Sequence, residues 1–148
     1  LWGYANFVLV GYFKDVEADR ITCYNTLPVV FGRRVSSVIS NVFGLLTIVF
    51  TVLLFTYSLP INVVLSQNIY AVIILVMGII VMFLCQAYVH LIKNDNESSK
   101  AISLSVHAYI LLLTSIIIIN KNEWITPMII FYALFNLTMI FRPAKNQI

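Results

Sequence analysis

Apolar residues run along this chain in long unbroken blocks, with short polar stretches between them. The blocks lack both the one-sided stripe of an amphipathic helix and the alternation of a half-buried strand. Residues 1–13 form the first, too short to cross about 30 Å of hydrocarbon unaided. It reads as the last three turns of a spanning helix, with Trp2 and Tyr4 as interfacial anchors. A polar loop is expected over 14–35. Residues 37–58 follow as a helix of roughly 33 Å at 1.5 Å per residue, capped by Ser36 or Ser37 and stopped before Pro60. An uncharged connection at 59–67 leads to a second full span at 68–91. A polar loop at 93–100 precedes spans at 101–119 and 123–141, which only Asn120, Lys121 and Asn122 separate. A short polar tail begins at Arg142. No run shows the ten-residue alternating units of a membrane barrel. The expected fold is all-α, a polytopic transmembrane bundle with one partial and four full spans. The chain starts without methionine inside an apolar run and shows no signal peptide, so it reads as the C-terminal half of one membrane-embedded domain.

Composition strengthens this reading. Hydrophobic residues make up 61% of the 148 and charged ones 10%, whereas a soluble domain carries about a quarter charged. Lipid must therefore be the solvent for most of the surface. Cys23 and Cys85 lie far apart in no CxxC pattern, which indicates neither a disulfide framework nor a zinc site. The net charge of +3 comes from scattered residues, and nucleic acid needs a continuous basic face. Alternating spans put Lys14, Arg20, Arg33, Arg34, Lys93, Lys100, Arg142 and Lys145 on one side and only Lys121 on the other. The positive-inside rule then makes the 14–35 loop cytoplasmic, in a bacterial inner membrane or its equivalent. Trp2, Tyr57 and Trp124 fall at the outer interface.

Three of the six acidic residues, Asp15, Glu17 and Asp19, crowd into five positions of that loop. If helix continues through Arg20, Asp15 and Asp19 share a face one turn apart, and Glu17 points roughly 200 degrees away. Like charges so placed cost roughly a few tenths of a kcal/mol, which a divalent cation removes. Hard oxygen ligands suit Mg²⁺, which takes one or two carboxylates and completes its shell with phosphates and water. Lys14 and Arg20 flank the pair and are candidate diphosphate contacts. A solvated juxtamembrane loop is the bland alternative.

The longer string, Phe13-Lys-Asp-Val-Glu-Ala-Asp-Arg20 and then Thr26-Leu-Pro-Val-Val-Phe-Gly32, resembles the second aspartate-rich motif of the UbiA superfamily of intramembrane prenyltransferases. The resemblance implies an all-helical enzyme, commonly of nine spans, in which two aspartate-rich motifs and Mg²⁺ hold a polyprenyl diphosphate for transfer to an aromatic or lipid acceptor. It makes Asp15 and Asp19 the catalytic metal ligands, with Lys14 and Arg20 as diphosphate contacts. Where such proteins often carry glycine, this chain has Ala18 and Cys23, and Asn25 replaces a frequent basic residue. The first motif does not occur here, so this chain by itself is expected to be inactive. Four spans follow the motif, where three are usual.

Gln86 and His90, four apart near the cytoplasmic end of their span, are candidates for an acceptor pocket. The bland alternative is an interhelical hydrogen bond beside an interfacial histidine. His107 and Asn136 read as structural hydrogen-bonding groups, and Gly44 and Gly78 as points of close helix approach. The competing classes are a transporter or assembly subunit with no chemistry, and a membrane phospho-alcohol transferase using the same acidic pair. The acceptor stays open among a quinone-ring precursor, a tetrapyrrole side chain and a glycerol-phosphate lipid.

Overall fold

The computed structural model describes residues 1–58 and 69–141. The connection read at 59–67 and the tail with Arg142 and Lys145 lie outside them. The chain is an all-α polytopic bundle: α1 (Trp2–Tyr12), α2 (Val16–Ile21), α3 (Leu27–Ser58), α4 (Ile69–Leu91), α5 (Ser98–Asn120) and α6 (Ile125–Phe141). One-turn 3₁₀ segments at Asp95–Glu97 and Asn122–Trp124 lead into α5 and α6. Four helices are long and apolar enough to cross a membrane, covering Leu27–Ser58, Ile69–Leu91, Asp95–Asn120 and Asn122–Phe141.

The 14–35 loop is the one substantial correction. It contains α2 and the first turns of α3. Leu27 to Phe31 is too short an apolar run to register as an element in sequence, and Gly32 looks like a terminator. Gly32 does break the helix, with φ 80° and ψ 160°, a conformation open to glycine and strained for other residues. Ser36 and Ser37 lie beyond that break as interior residues rather than caps. Their hydroxyls donate to the carbonyls four residues back, at 3.0 Å on Gly32 and 2.8 Å on Arg33.

Much of what α3 buries is small or polar, and what it exposes is apolar. Beyond the break, α3 turns Ser36, Ser37, Ser40, Gly44, Thr47, Thr51 and Phe55 inward at helical spacing. Its Leu45, Val49 and Leu53 face outward. Between membrane helices no hydrophobic gain separates lipid from protein, so association rests on close packing and hydrogen bonds. Gly78 shows the first. A Cβ added there would stand 3.1 Å from the backbone nitrogen of Leu112 and 3.0 Å from its side chain, so α4 and α5 meet backbone to side chain. Around that contact Leu75, Met82, Ala108, Leu112 and Ile118 form one core. Leu9, Val10 and Phe13 of the α1 end form another with Cys85 and Val89 of α4. Gly3 brings α1 against α5, where an added Cβ would lie 2.6 Å from the Tyr109 ring. Gly44 meets the side chain of Gln86 in the same way, at 2.6 Å.

Two contacts fix the ends of the bundle. Asn120 reaches Ser58 at 3.5 Å, so α3 and α5 finish together. At the opposite end the loop before α5 touches α2 and α3, through Asp95 on the Glu17 N–H and on Arg33. The polar stretches 14–26 and 93–97 therefore share one end.

Candidate functional site

The aspartate-rich stretch folds as a six-residue helix set off from α1 by a turn. Phe13 N–H bonds back to Val10 and Lys14 N–H to Gly11, which closes α1. Asp15 stands at the N-cap of α2, and Asp19 N–H donates to the Asp15 carbonyl at 2.7 Å. The two aspartates are thus one turn apart, as the spacing predicts, although α1 does not run through them. Asp15 is exposed, and Asp19 and Lys14 are half-buried. Arg20 leans on Glu17, 3.5 Å away in a well-solvated pair, so both point along the outer side of α2. Such a pair contributes little to stability.

The far end of α2 closes as a Schellman motif. Tyr24 N–H donates to Asp19 O at 2.8 Å and Cys23 N–H to Arg20 O at 3.4 Å. Cys23 takes the left-handed position, φ 57°, which glycine would occupy without strain. Thr26, almost fully buried, donates its hydroxyl to Asp19 Oδ2 at 3.1 Å. Pro28 occupies the first turn of α3, where a missing N–H costs nothing. The conspicuous residues of Thr26-Leu-Pro-Val-Val-Phe-Gly32 therefore each shape the chain: Thr26 orients the second aspartate, Pro28 starts a helix and Gly32 redirects it.

Two residues the sequence does not single out hold this end together. Asp95, in the loop before α5, forms an ion pair with Arg33 and accepts the Glu17 backbone N–H at 2.9 Å. Arg33 also donates to the Phe13 carbonyl at 3.3 Å. Both side chains are about one-fifth exposed, at 21% and 20%. The loop carrying Asp95 is itself fastened. Glu97 accepts the backbone N–H of Lys93 at 2.8 Å. Ser98 adds a 2.6 Å bond to the Asp95 carbonyl. Sequence separations of 62 and 78 residues hide these contacts from any local pattern.

A polar layer lies deeper in the bundle. Ser40 Oγ stands 2.7 Å from Asn6 Oδ1 and 2.9 Å from Gln86 Oε1, sharing one proton between two acceptors. Gln86 also donates to Asn6 at 3.3 Å, so α1, α3 and α4 meet at this node. His90 is exposed at the end of α4, its Nε2 2.7 Å from Asn41 Nδ2. Asn41 Oδ1 is buried without a partner among the described residues. His107 bonds Tyr132 at 3.0 Å and meets the Tyr132 and Phe135 rings edge-on. Asn136 bonds back to its own helix at Tyr132 O, 2.7 Å away.

Among the described residues no three His, Cys, Asp or Glu side chains gather closely enough to hold a metal ion alone. Two carboxylates one turn apart still fit Mg²⁺, which completes its shell with phosphate and water. All six carboxylates lie in or beside the short segments that join the long apolar helices. No protein-family model matches the chain, and no solved structure matches it significantly. A curated relative does. The chain is similar to the digeranylgeranylglyceryl phosphate synthase of Pyrococcus abyssi (strain GE5 / Orsay), 34% identical over 87 residues, a match covering 59% of this chain and about a quarter (27%) of that protein.

Proposed function

We propose that this chain carries the second aspartate-rich half-site of a UbiA-like prenyltransferase, working at the cytoplasmic edge of the membrane. The observation that carries the reading is the pair Asp15 and Asp19, one turn apart on α2, with Thr26 holding the second. The likeness to a prenyl-lipid synthase supports the same chemistry, as does the gathering of both polar stretches at one end of the bundle. In this reading Asp15 and Asp19 hold Mg²⁺, which supplies positive charge to the departing diphosphate. Lys14 stands beside them as a diphosphate contact, and Arg20 exchanges its solvated Glu17 partner for the same anion. The bond between C1 of the prenyl chain and the diphosphate oxygen breaks, and the electron pair leaves with the diphosphate. The acceptor nucleophile bonds to C1 and gives up its proton to the departing diphosphate or to water.

The relative's name favours a glycerol-phosphate lipid as acceptor over an aromatic ring. Gln86 and His90 are the proposed acceptor contacts, and the unmet Asn41 Oδ1 beside His90 suits a donating hydroxyl. A transporter would need charged or broken helices at mid-membrane, and the six carboxylates lie in or beside the short joining segments. The test is prenyl transfer from a labelled polyprenyl diphosphate, in the protein containing both aspartate-rich motifs. Asp15→Ala and Asp19→Ala should each lower turnover about 10²–10³-fold with membrane insertion intact. Wild-type turnover in either variant refutes the ligand assignment, and a transferred phospho-alcohol group would point to the other enzyme class.

A further inference from the structure

Building on the prenyltransferase reading, we infer that Asp95 is a positioning residue for the metal-binding carboxylates, because it caps the aspartate-rich helix in place of Asp15. An aspartate at an N-cap ordinarily accepts the backbone N–H two or three residues on. Asp15 occupies that position on α2, yet its side chain makes no capping hydrogen bond. The Glu17 N–H, the group it would be expected to take, donates instead to Asp95 Oδ2 at 2.9 Å. The cap has been handed to a residue of the loop between α4 and α5.

Three observations show that the arrangement is held rather than incidental. Asp95 Oδ1 is paired with Arg33 just past the Gly32 break in α3. The other arm of that guanidinium holds the Phe13 carbonyl at the close of α1, 3.3 Å away. The Asp95 backbone is fixed in turn by Ser98, whose hydroxyl donates to its carbonyl at 2.6 Å. One carboxylate and one guanidinium thus join α1, α2 and α3 with the loop before α5, at an end of the bundle where both are mostly shielded from water.

The consequence is chemical. A carboxylate engaged with its own helix must give up that hydrogen bond before it can take a cation. With Asp95 as the cap, the Asp15 carboxylate meets no such penalty, and Asp19 is independently set by Thr26. Asp19 is thus held in place by Thr26, and Asp15 is left uncommitted because Asp95 takes its capping role. Groups that orient metal ligands in this way typically alter metal affinity by about 10–100-fold when removed.

The test is a Mg²⁺ titration of prenyl transfer in the protein with both motifs, reconstituted in lipid, combined with hydrogen exchange at the Glu17 amide. Asp95→Asn should raise the half-saturating Mg²⁺ concentration on the order of tenfold and leave kcat at saturating Mg²⁺ within about twofold of wild type. Arg33→Gln should move the Mg²⁺ midpoint in the same direction, and it decides the matter if Asp95→Asn is not recovered from the membrane. An unchanged midpoint overturns the inference, and so does a fall in kcat at an unchanged midpoint, which marks a merely structural role. The underlying reading fails separately, if Asp15→Ala keeps full turnover. In that event the cap is still judged by exchange: Asp95→Ala should speed exchange of the Glu17 amide, and unchanged protection overturns it.

Discussion

Helices α1 and α6 make an instructive pair. Both are apolar, and α6 is the longer, at 17 residues against 11. Yet α1 buries Gly3, Asn6, Leu9 and Val10, while α6 buries no residue at all. The difference lies in what each offers a neighbour. Gly3 lets α1 approach the Tyr109 ring, and Asn6 reaches across to Ser40 and Gln86. The Asn136 amide of α6 turns back on its own helix, while Tyr132 and Phe135 meet His107 and Ile125 and Met128 pack, half-buried, against the α4–α5 core. In lipid, hydropathy gives a helix no reason to choose protein over solvent. Small residues and outreaching polar groups do.

Placing the same change on a tight face and on α6 tests this directly. Gly78→Val should destabilise the protein by about 3 kcal/mol, since the new side chain meets the Leu112 backbone. Ala133→Val, on the exposed surface of α6, should stay within about 0.5 kcal/mol. Unfolding by steric trapping in bicelles measures both, and equal losses would show that α6 packs as tightly as α4. Cys23→Gly should stabilise the turn after α2 by about 1 kcal/mol, because it relieves the left-handed strain at φ 57°. Slower proteolysis of the 14–26 segment would register that gain, and no change would contradict it. Smaller than that gain is the effect of Tyr132→Phe, which removes one interhelical hydrogen bond to His107 and should cost about 0.6 kcal/mol, the average for such bonds in membranes. A much larger loss would make that single contact the anchor of α6.

The spans were legible because an apolar run long enough to cross a bilayer would aggregate in water and is stable only in lipid. The structure gives Ile69–Leu91, Ser98–Asn120 and Ile125–Phe141 where the sequence indicates 68–91, 101–119 and 123–141. The polar segment was less so. There α2 and the first turns of α3 are fixed by capping, by a buried threonine and by one glycine dihedral, none of which has a periodic signature. Asp15 and Asp19 were readable as a pair because the relation between them is local. Asp95 and Arg33 were not. A carboxylate in one loop and a guanidinium beyond another look like ordinary solvated charges until the fold joins them. Gln86 and His90 show a middle case: their shared face was visible, but the Asn6 and Asn41 that meet them arrive from other helices.

The central claim is that α2 presents two carboxylates to a metal-bound diphosphate. Its most direct test is Mn²⁺ binding, followed by electron paramagnetic resonance, in the protein with both motifs and with a non-hydrolysable prenyl diphosphate present. Diphosphate-dependent Mn²⁺ binding should appear in the wild type and disappear in the Asp15→Asn/Asp19→Asn double variant. Undiminished binding in the double variant would contradict the account.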